Sequence, residues 1–263
     1  MKLSSRDNPL LRQARSVRDG KIDDLMFIEG LRLAEEALHS GLEIQAVIYS
    51  DEIAEKHRAA RFLGAVALVC SCMASVSEKL LMTISYTKTP QGIILLAKQP
   101  ESGKAKLDTS EERAPLLVIL HGINNPTNVG AILRSAEAAG ATGVITTPNT
   151  ADPFSPKSLR GAMGSAFRLP IWRAADYSDA LSWCAEQNIK TVCADVRARA
   201  LYTDINWTTP RALIVGAEST GLSHVDVAAA DDAVRIGMQG AVERLNVGVA
   251  AGILLYEAAR QRN

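Results

Sequence analysis

The stretch Asn246-Val-Gly-Val-Ala-Ala-Gly-Ile-Leu-Leu-Tyr256 decides how the rest of the chain is read. Ala250, Ala251 and Gly252 give a helix a thin surface against which another backbone can lie. Each glycine costs such a helix about 1 kcal/mol relative to alanine. Alone, the stretch has two readings: tight core packing, or a place where one segment must pass close to another. Two companions bear on the choice, the turn at 216–221 and the helix start at 125–134.

The 263 residues are 47% apolar and 22% charged with no net charge, which suits one large or two ordinary domains with ample core. Neutrality argues against gripping nucleic acid by bulk charge but permits a local basic patch. The first 21 residues carry such an excess: Lys2, Arg6, Arg12, Arg15, Arg18 and Lys21 against Asp7 and Asp19. Arg12, Arg15 and Arg18 share one side of a helix, either as a solvated face or as the local basic patch that neutrality permits. Residues 22–55 swing acidic, nine carboxylates against Arg32. No run approaches the roughly 18 apolar residues of a membrane span, and Met-Lys-Leu-Ser-Ser-Arg lacks an apolar signal core. A cytoplasmic protein without membrane contact is expected. Cys70, Cys72, Cys184 and Cys193 match no zinc spacing and no disulfide framework, and His39, His57, His121 and His224 are dispersed. No metal site is expected.

Hydrophobic periodicity divides the chain into an α/β domain over 1–98, a polar linker at 99–114 carrying Pro100 and Gly103, and a second α/β domain over 115–263. In the first, strands are expected at 25–28, 44–49, 65–70 and 92–97, with helices at 31–39, 52–62 and 77–82. In the second, strands are expected at 116–121, 143–147, 169–172, 190–194, 212–215 and 233–236. Helices are expected at 127–139, 156–167, 177–187, 223–229 and 246–260. Continuous β-branched runs separated by helices imply a mostly parallel six-stranded sheet covered on both faces. Ligands in such sheets bind beyond the carboxyl ends of strands.

Three loops at those ends stand out. In Gly122-Ile-Asn-Asn-Pro-Thr-Asn128-Val-Gly130-Ala-Ile-Leu-Arg134, an Asn-rich turn feeds a helix on which Gly130 and Arg134 lie one turn apart. An arginine beside a glycine suits an anion held by a planar fork. In Gly216-Ala-Glu218-Ser-Thr-Gly221-Leu222-Ser223, the lysine of a phosphate loop is missing, and Glu218 reads as an acceptor for neighbouring backbone N–H groups. In Ile236-Gly-Met238-Gln-Gly-Ala-Val-Glu-Arg244-Leu245-Asn246, backbone groups can bond a purine within an apolar wall of Ile236, Met238 and Leu245. Asn246 caps the last helix.

In this order and spacing the three loops resemble the signature motifs of the SpoU/TrmH-type RNA ribose 2′-O-methyltransferases of the trefoil-knotted SPOUT superfamily. Asn8-Pro9-Leu10 and Phe27-Ile-Glu-Gly30-Leu-Arg32 resemble the ribosomal-protein-like RNA-binding domain often fused to them, and Arg160-Gly-Ala-Met-Gly-Ser165 resembles the family's helix-to-strand joint. The resemblance implies a C-terminal knot, which would account for the thin helix, and a homodimer. It implies methyl transfer from S-adenosylmethionine to structured RNA, ribosomal RNA ahead of transfer RNA. It places the cofactor on Gly216, Ile236, Leu245 and Met238, with Glu218 in the same loop, and the chemistry on Arg134, Asn128 and Asn246. The substrate RNA would meet Arg12, Arg15, Arg18 and Arg244.

Arg244 stands where the family usually has serine, and Gly248 replaces a common small polar residue. That departure supports an alternative, a cofactor-binding RNA or assembly module without catalysis. A small-molecule enzyme using a nucleotide cofactor is a further rival, which predicts no RNA affinity.

Overall fold

The computed structural model describes residues 1–107, 114–217 and 221–263. These form two compact units, Met1–Pro100 with Phe154–Arg168, and Glu101–Pro153 with Leu169–Asn263.

The first unit is built on a four-stranded sheet in the order β1 (Leu25–Glu29), β4 (Ile93–Lys98), β2 (Ile44–Ser50), β3 (Met73–Val76). Strand β4 runs antiparallel to both neighbours, while β2 and β3 are parallel. Helix α1 (Pro9–Arg18) starts at Asn8, whose Oδ1 accepts from the Leu10 N–H at 2.9 Å, with proline in its first turn. Its buried face is Leu11, Ala14 and Val17. The three arginines of this helix fare differently. Arg12 is exposed, Arg15 donates to the Arg6 carbonyl at 2.8 Å, and Arg18 pairs with Asp19 at 2.8 Å and reaches the Ser85 carbonyl at 3.3 Å.

Helix α2 (Leu31–His39) matches its expected bounds. The expected helix at 52–62 is two, α3 (Asp51–Ala54) and α4 (His57–Val66), broken at Glu55 and Lys56. The expected strand at 65–70 is overturned. Ala59, Phe62, Leu63 and Val66 form one helical face and bury it, whereas Leu68 and Val69 are 87% and 63% exposed. The strand lies further on, at β3. After α5 (Glu78–Met82) and β4, this unit is completed by α7 (Pro156–Ala162) and α8 (Ser165–Arg168). The single helix expected at 156–167 breaks where Met163 and Gly164 take positive φ, 50° and 97°. A side chain on Gly164 would meet Glu36 Oε2 at 2.8 Å, the same oxygen that accepts from Arg168.

The second unit holds seven strands in the order β7 (Ile171–Arg173), β6 (Gly143–Thr146), β5 (Leu116–His121), β10 (Arg211–Gly216), β8 (Lys190–Ala194), β11 (Asp232–Arg235), β9 (Ala200–Leu201). Every pairing is parallel. The count is seven where six were expected, because β9 is two half-buried residues, too short to show a period. Helices α6 (Pro126–Ala138), α9 (Tyr177–Glu186), α10 (His224–Ala229) and α11 (Val247–Arg262) complete the unit. One core cluster includes Leu117, Ile119, Ile145, Trp172, Trp183 and Ile214, joined by Leu107 from the stretch read as a linker. A Cβ on Gly143 would lie 2.5 Å from Leu107 Cδ2, so that glycine makes the room.

Helix α11 is fastened at its far end. The Arg262 guanidinium donates to the carbonyls of Ala114, Pro115, Trp207 and Thr209, the last at 2.9 Å. Gln261 accepts from the Trp207 N–H at 2.9 Å and donates to the Ile205 carbonyl at 3.1 Å. Next to α6, a Cβ on Gly248 would lie 3.6 Å from Ala131 Cβ and a tighter 3.2 Å from Asn246 Oδ1, whereas one on Gly252 would lie at an ordinary 3.8 Å from Ser135 Oγ.

Candidate active site

The sheet order fixes where a ligand can sit. From β5 the chain builds outward through β6 and β7 on one side and returns to the other through β8 and β10. The carboxyl ends of β8, β10 and β11 therefore open side by side, and a pocket of about 290 Å³ lies there. Its walls come from Asp195 and Arg197 after β8, Gly216 and Leu222 around the end of β10, and Ile236 and Leu245 after β11, floored by α11.

Of the residues expected to hold the cofactor, Gly216, Ile236, Met238 and Leu245 all line this one cavity, and so does Arg244. Glu218 lies outside the described residues. The glycine at 216 has a steric cause. A Cβ there would meet Leu222 Cγ at 2.8 Å and the Gly221 carbonyl carbon at 2.9 Å, because the chain folds straight back on itself. That return is held by the Gly221 N–H bonding the Ala217 carbonyl at 2.8 Å, with Gly221 at φ 65°. Val215, Val247 and Leu254 add apolar wall. The cavity is thus mostly apolar, of small-molecule size, with backbone polar groups at its rim.

Asn128 and Asn246 meet beside it. Asn246 Oδ1 accepts from the backbone N–H groups of Gly248 and Val249 at 2.9 and 3.3 Å, capping α11. Its Nδ2 donates to Asn128 Oδ1 at 3.3 Å. Asn128 is 7% exposed, and its own Nδ2 is buried without a hydrogen-bond partner among the described residues. A buried donor left without a partner costs about 1–3 kcal/mol, so this one has a hydrogen bond to offer a ligand. Arg134, further along α6, is exposed. It is not among the residues lining the cavity.

The loop after β8 escapes the sequence reading. Asp195 accepts from Arg197 Nε and Nη2 at 3.0 and 2.7 Å, and this pairing holds its carboxyl below the usual range despite burial. A signal exists: Asp195 follows directly on an expected strand end, where parallel sheets place their ligands. Below the loops, burial pushes the Tyr177 hydroxyl and the thiols of Cys184 and Cys193 upward, the thiols to about 12 and about 11. Among the described residues no group of three His, Cys, Asp or Glu side chains is placed to hold a metal ion.

Known proteins share this arrangement. The model of the SpoU rRNA Methylase family matches residues 115–256, and that of the MRM3-like substrate binding domain matches residues 3–95. The 23S rRNA (guanosine-2′-O-)-methyltransferase RlmB of Vibrio vulnificus is 30% identical over 239 residues, 90% of this chain and 97% of its own. The 23S rRNA (guanosine(2553)-2′-O)-methyltransferase RlmP of Bacillus subtilis is 32% identical, over 88% of this chain and 86% of its own. Among solved structures, the SpoU methyltransferase AviRb of Streptomyces viridochromogenes, in complex with the cofactor AdoMet, superposes with a TM-score of 0.87. It is 26% identical, over 97% of this chain and 98% of its own.

Proposed function

Because the chain belongs to the SpoU rRNA methylase family, we propose that it transfers a methyl group from S-adenosylmethionine to a ribose 2′-hydroxyl of ribosomal RNA. The observation that carries this reading is the convergence of Gly216, Ile236, Met238 and Leu245 on one cavity, with the Asn246–Asn128 hydrogen bond joining the third loop to the first.

The residues fit the donor. Ile236, Leu245, Val215 and Leu254 offer an apolar bed to a purine, and the glycine cradle at 216 lets backbone approach closely. Once bound, S-adenosylmethionine supplies an electrophilic methyl on a sulfonium. The chain's own contribution is positioning, which can remove much of a bimolecular barrier. Arg134, a permanent cation with a forked donor face, holds a phosphate beside the target ribose and stabilises negative charge developing on the hydroxyl oxygen. Asn128, with a donor to spare, and Asn246 orient the ribose. Arg244, at the pocket wall, takes a second phosphate, and exposed Arg12 belongs to the RNA-facing side of the first unit. Among the described residues nothing beyond the departure at Arg244 favours the non-catalytic alternative.

The working form is a homodimer in the cytoplasm. Val249 and Tyr256, one helical stripe of α11, are 53% and 58% exposed, with the bare backbone of Gly252 between them. A second copy would cover this stripe. The loop after β11 and α11 would be threaded as in the family's knot. The deciding experiment is methyl incorporation into ribosomal RNA by the wild type and Arg134→Ala. The variant should lose at least about 100-fold in rate while donor affinity stays within about threefold. Full activity in the variant removes the role of Arg134, and no 2′-O-methyl product from the wild type removes the function.

A further inference from the structure

We propose that Arg197 is a positioning residue of the donor pocket, a clasp that ties the loop after β10 to the end of β8. The proposal rests on the methyl-donor reading of that cavity. Arg197 stands on the β8 side, where Asp195 takes its Nε and Nη2 at 3.0 and 2.7 Å. Asp195 is itself anchored, its N–H donating to the Val234 carbonyl of β11 at 2.9 Å. From there the guanidinium reaches the other wall. Nη2 donates to the Leu222 carbonyl at 3.3 Å, and Nη1 lies 3.0 Å from His224 Nε2.

Leu222 is the residue packed against the bare face of Gly216. Holding its carbonyl therefore holds the return of the loop over the glycine cradle, and with it the shape of the pocket. A local ion pair between close sequence neighbours, Asp195 largely buried and Arg197 half-exposed, would explain the Asp195 contacts alone. It does not explain a planar fork shared between two segments. That sharing uses the directed geometry that separates arginine from lysine. A lysine at this position could keep the Asp195 pair but not all three partners at once.

Two measurements on the full chain test the clasp: titration calorimetry with S-adenosylmethionine, and amide hydrogen exchange of the peptide 221–229 without ligand. Both are made for the wild type, Arg197→Ala and Arg197→Lys. Loss of a charge-assisted bond predicts exchange and donor Kd each raised by about tenfold, in the lysine variant as well as in the alanine one. Unchanged exchange in Arg197→Ala overturns the clasp, as does an Arg197→Lys protein that matches the wild type in both readouts. If the wild type binds no donor, the donor reading falls and hydrogen exchange alone judges the clasp. Should Arg197→Ala fail to fold, His224→Ala keeps the Asp195 pair and removes one partner; faster exchange at 221–229 is again required.

Discussion

Asn246 Nδ2 donates to Asn128 Oδ1 at 3.3 Å, a bond between side chains 118 residues apart that brings the first and third loops together. The same Asn246 caps α11 through Oδ1, so its two ends do separable jobs. Asn246→Ala should lose both, costing about 1 kcal/mol for the cap and leaving Asn128 with two unpaired polar atoms. Asn246→Asp keeps the cap acceptor and removes the donor. Its melting temperature should stay near that of the wild type while methylation falls as far as in the alanine variant. Equal melting losses in both variants would show that the cap is not what Asn246 contributes to stability.

Gly216→Ala places a methyl 2.8 Å from Leu222 Cγ and 2.9 Å from Gly221 backbone. The side chain can yield but the backbone cannot without opening the turn. Overpacking of this kind costs about 1–3 kcal/mol, and we expect donor affinity to fall by more than about tenfold in calorimetry. Wild-type affinity in this variant would place the donor away from the glycine cradle.

Acid should act through Glu257. Its carboxylate, bonded by Arg260 and Gln261, titrates at about 2 instead of 4.5. A depressed folded-state value means stability that is fully present above about pH 4.5 and is lost as pH falls toward about 2. Glu257→Gln lacks this contribution. The stability gap between wild type and variant, read from urea melts, should therefore narrow as pH falls through that window. A gap that stays constant with pH would mean the carboxylate gains nothing from Arg260.

The thiols offer a check on the core of the second unit. Cys184 and Cys193 are buried and held at about 12 and about 11, so neither supplies thiolate near neutrality. Iodoacetamide followed by mass spectrometry should label half-exposed Cys72 first and leave Cys184 and Cys193 untouched until the protein unfolds. Rapid native labelling at Cys193 would contradict the packing of β8.

Much of this is legible in the chain because the second unit repeats one signal. Leu116–Leu120 is a continuous apolar run inside a parallel sheet, and strands Leu116–His121 and Lys190–Ala194 agree residue for residue with the expected bounds. The failures have local causes. The run at 65–70 looks like a strand by composition, but Val66 completes a helical stripe begun at Ala59, and only burial separates the two. The break at Met163 requires a left-handed residue with a side chain, which sequence does not flag. The pocket's glycine loops can be named from the chain, whereas Arg197 cannot. Its meaning comes from Leu222 and His224, contacts that exist only after folding.

The cavity walls are gathered from segments that run from Ala194 to Leu254. A ribosome delivers those segments in order, so a nascent chain owns three walls and no floor until α11 emerges. Donor capture should therefore begin only once α11 has left the ribosome, and a stalled nascent chain lacking α11 would be blind to S-adenosylmethionine.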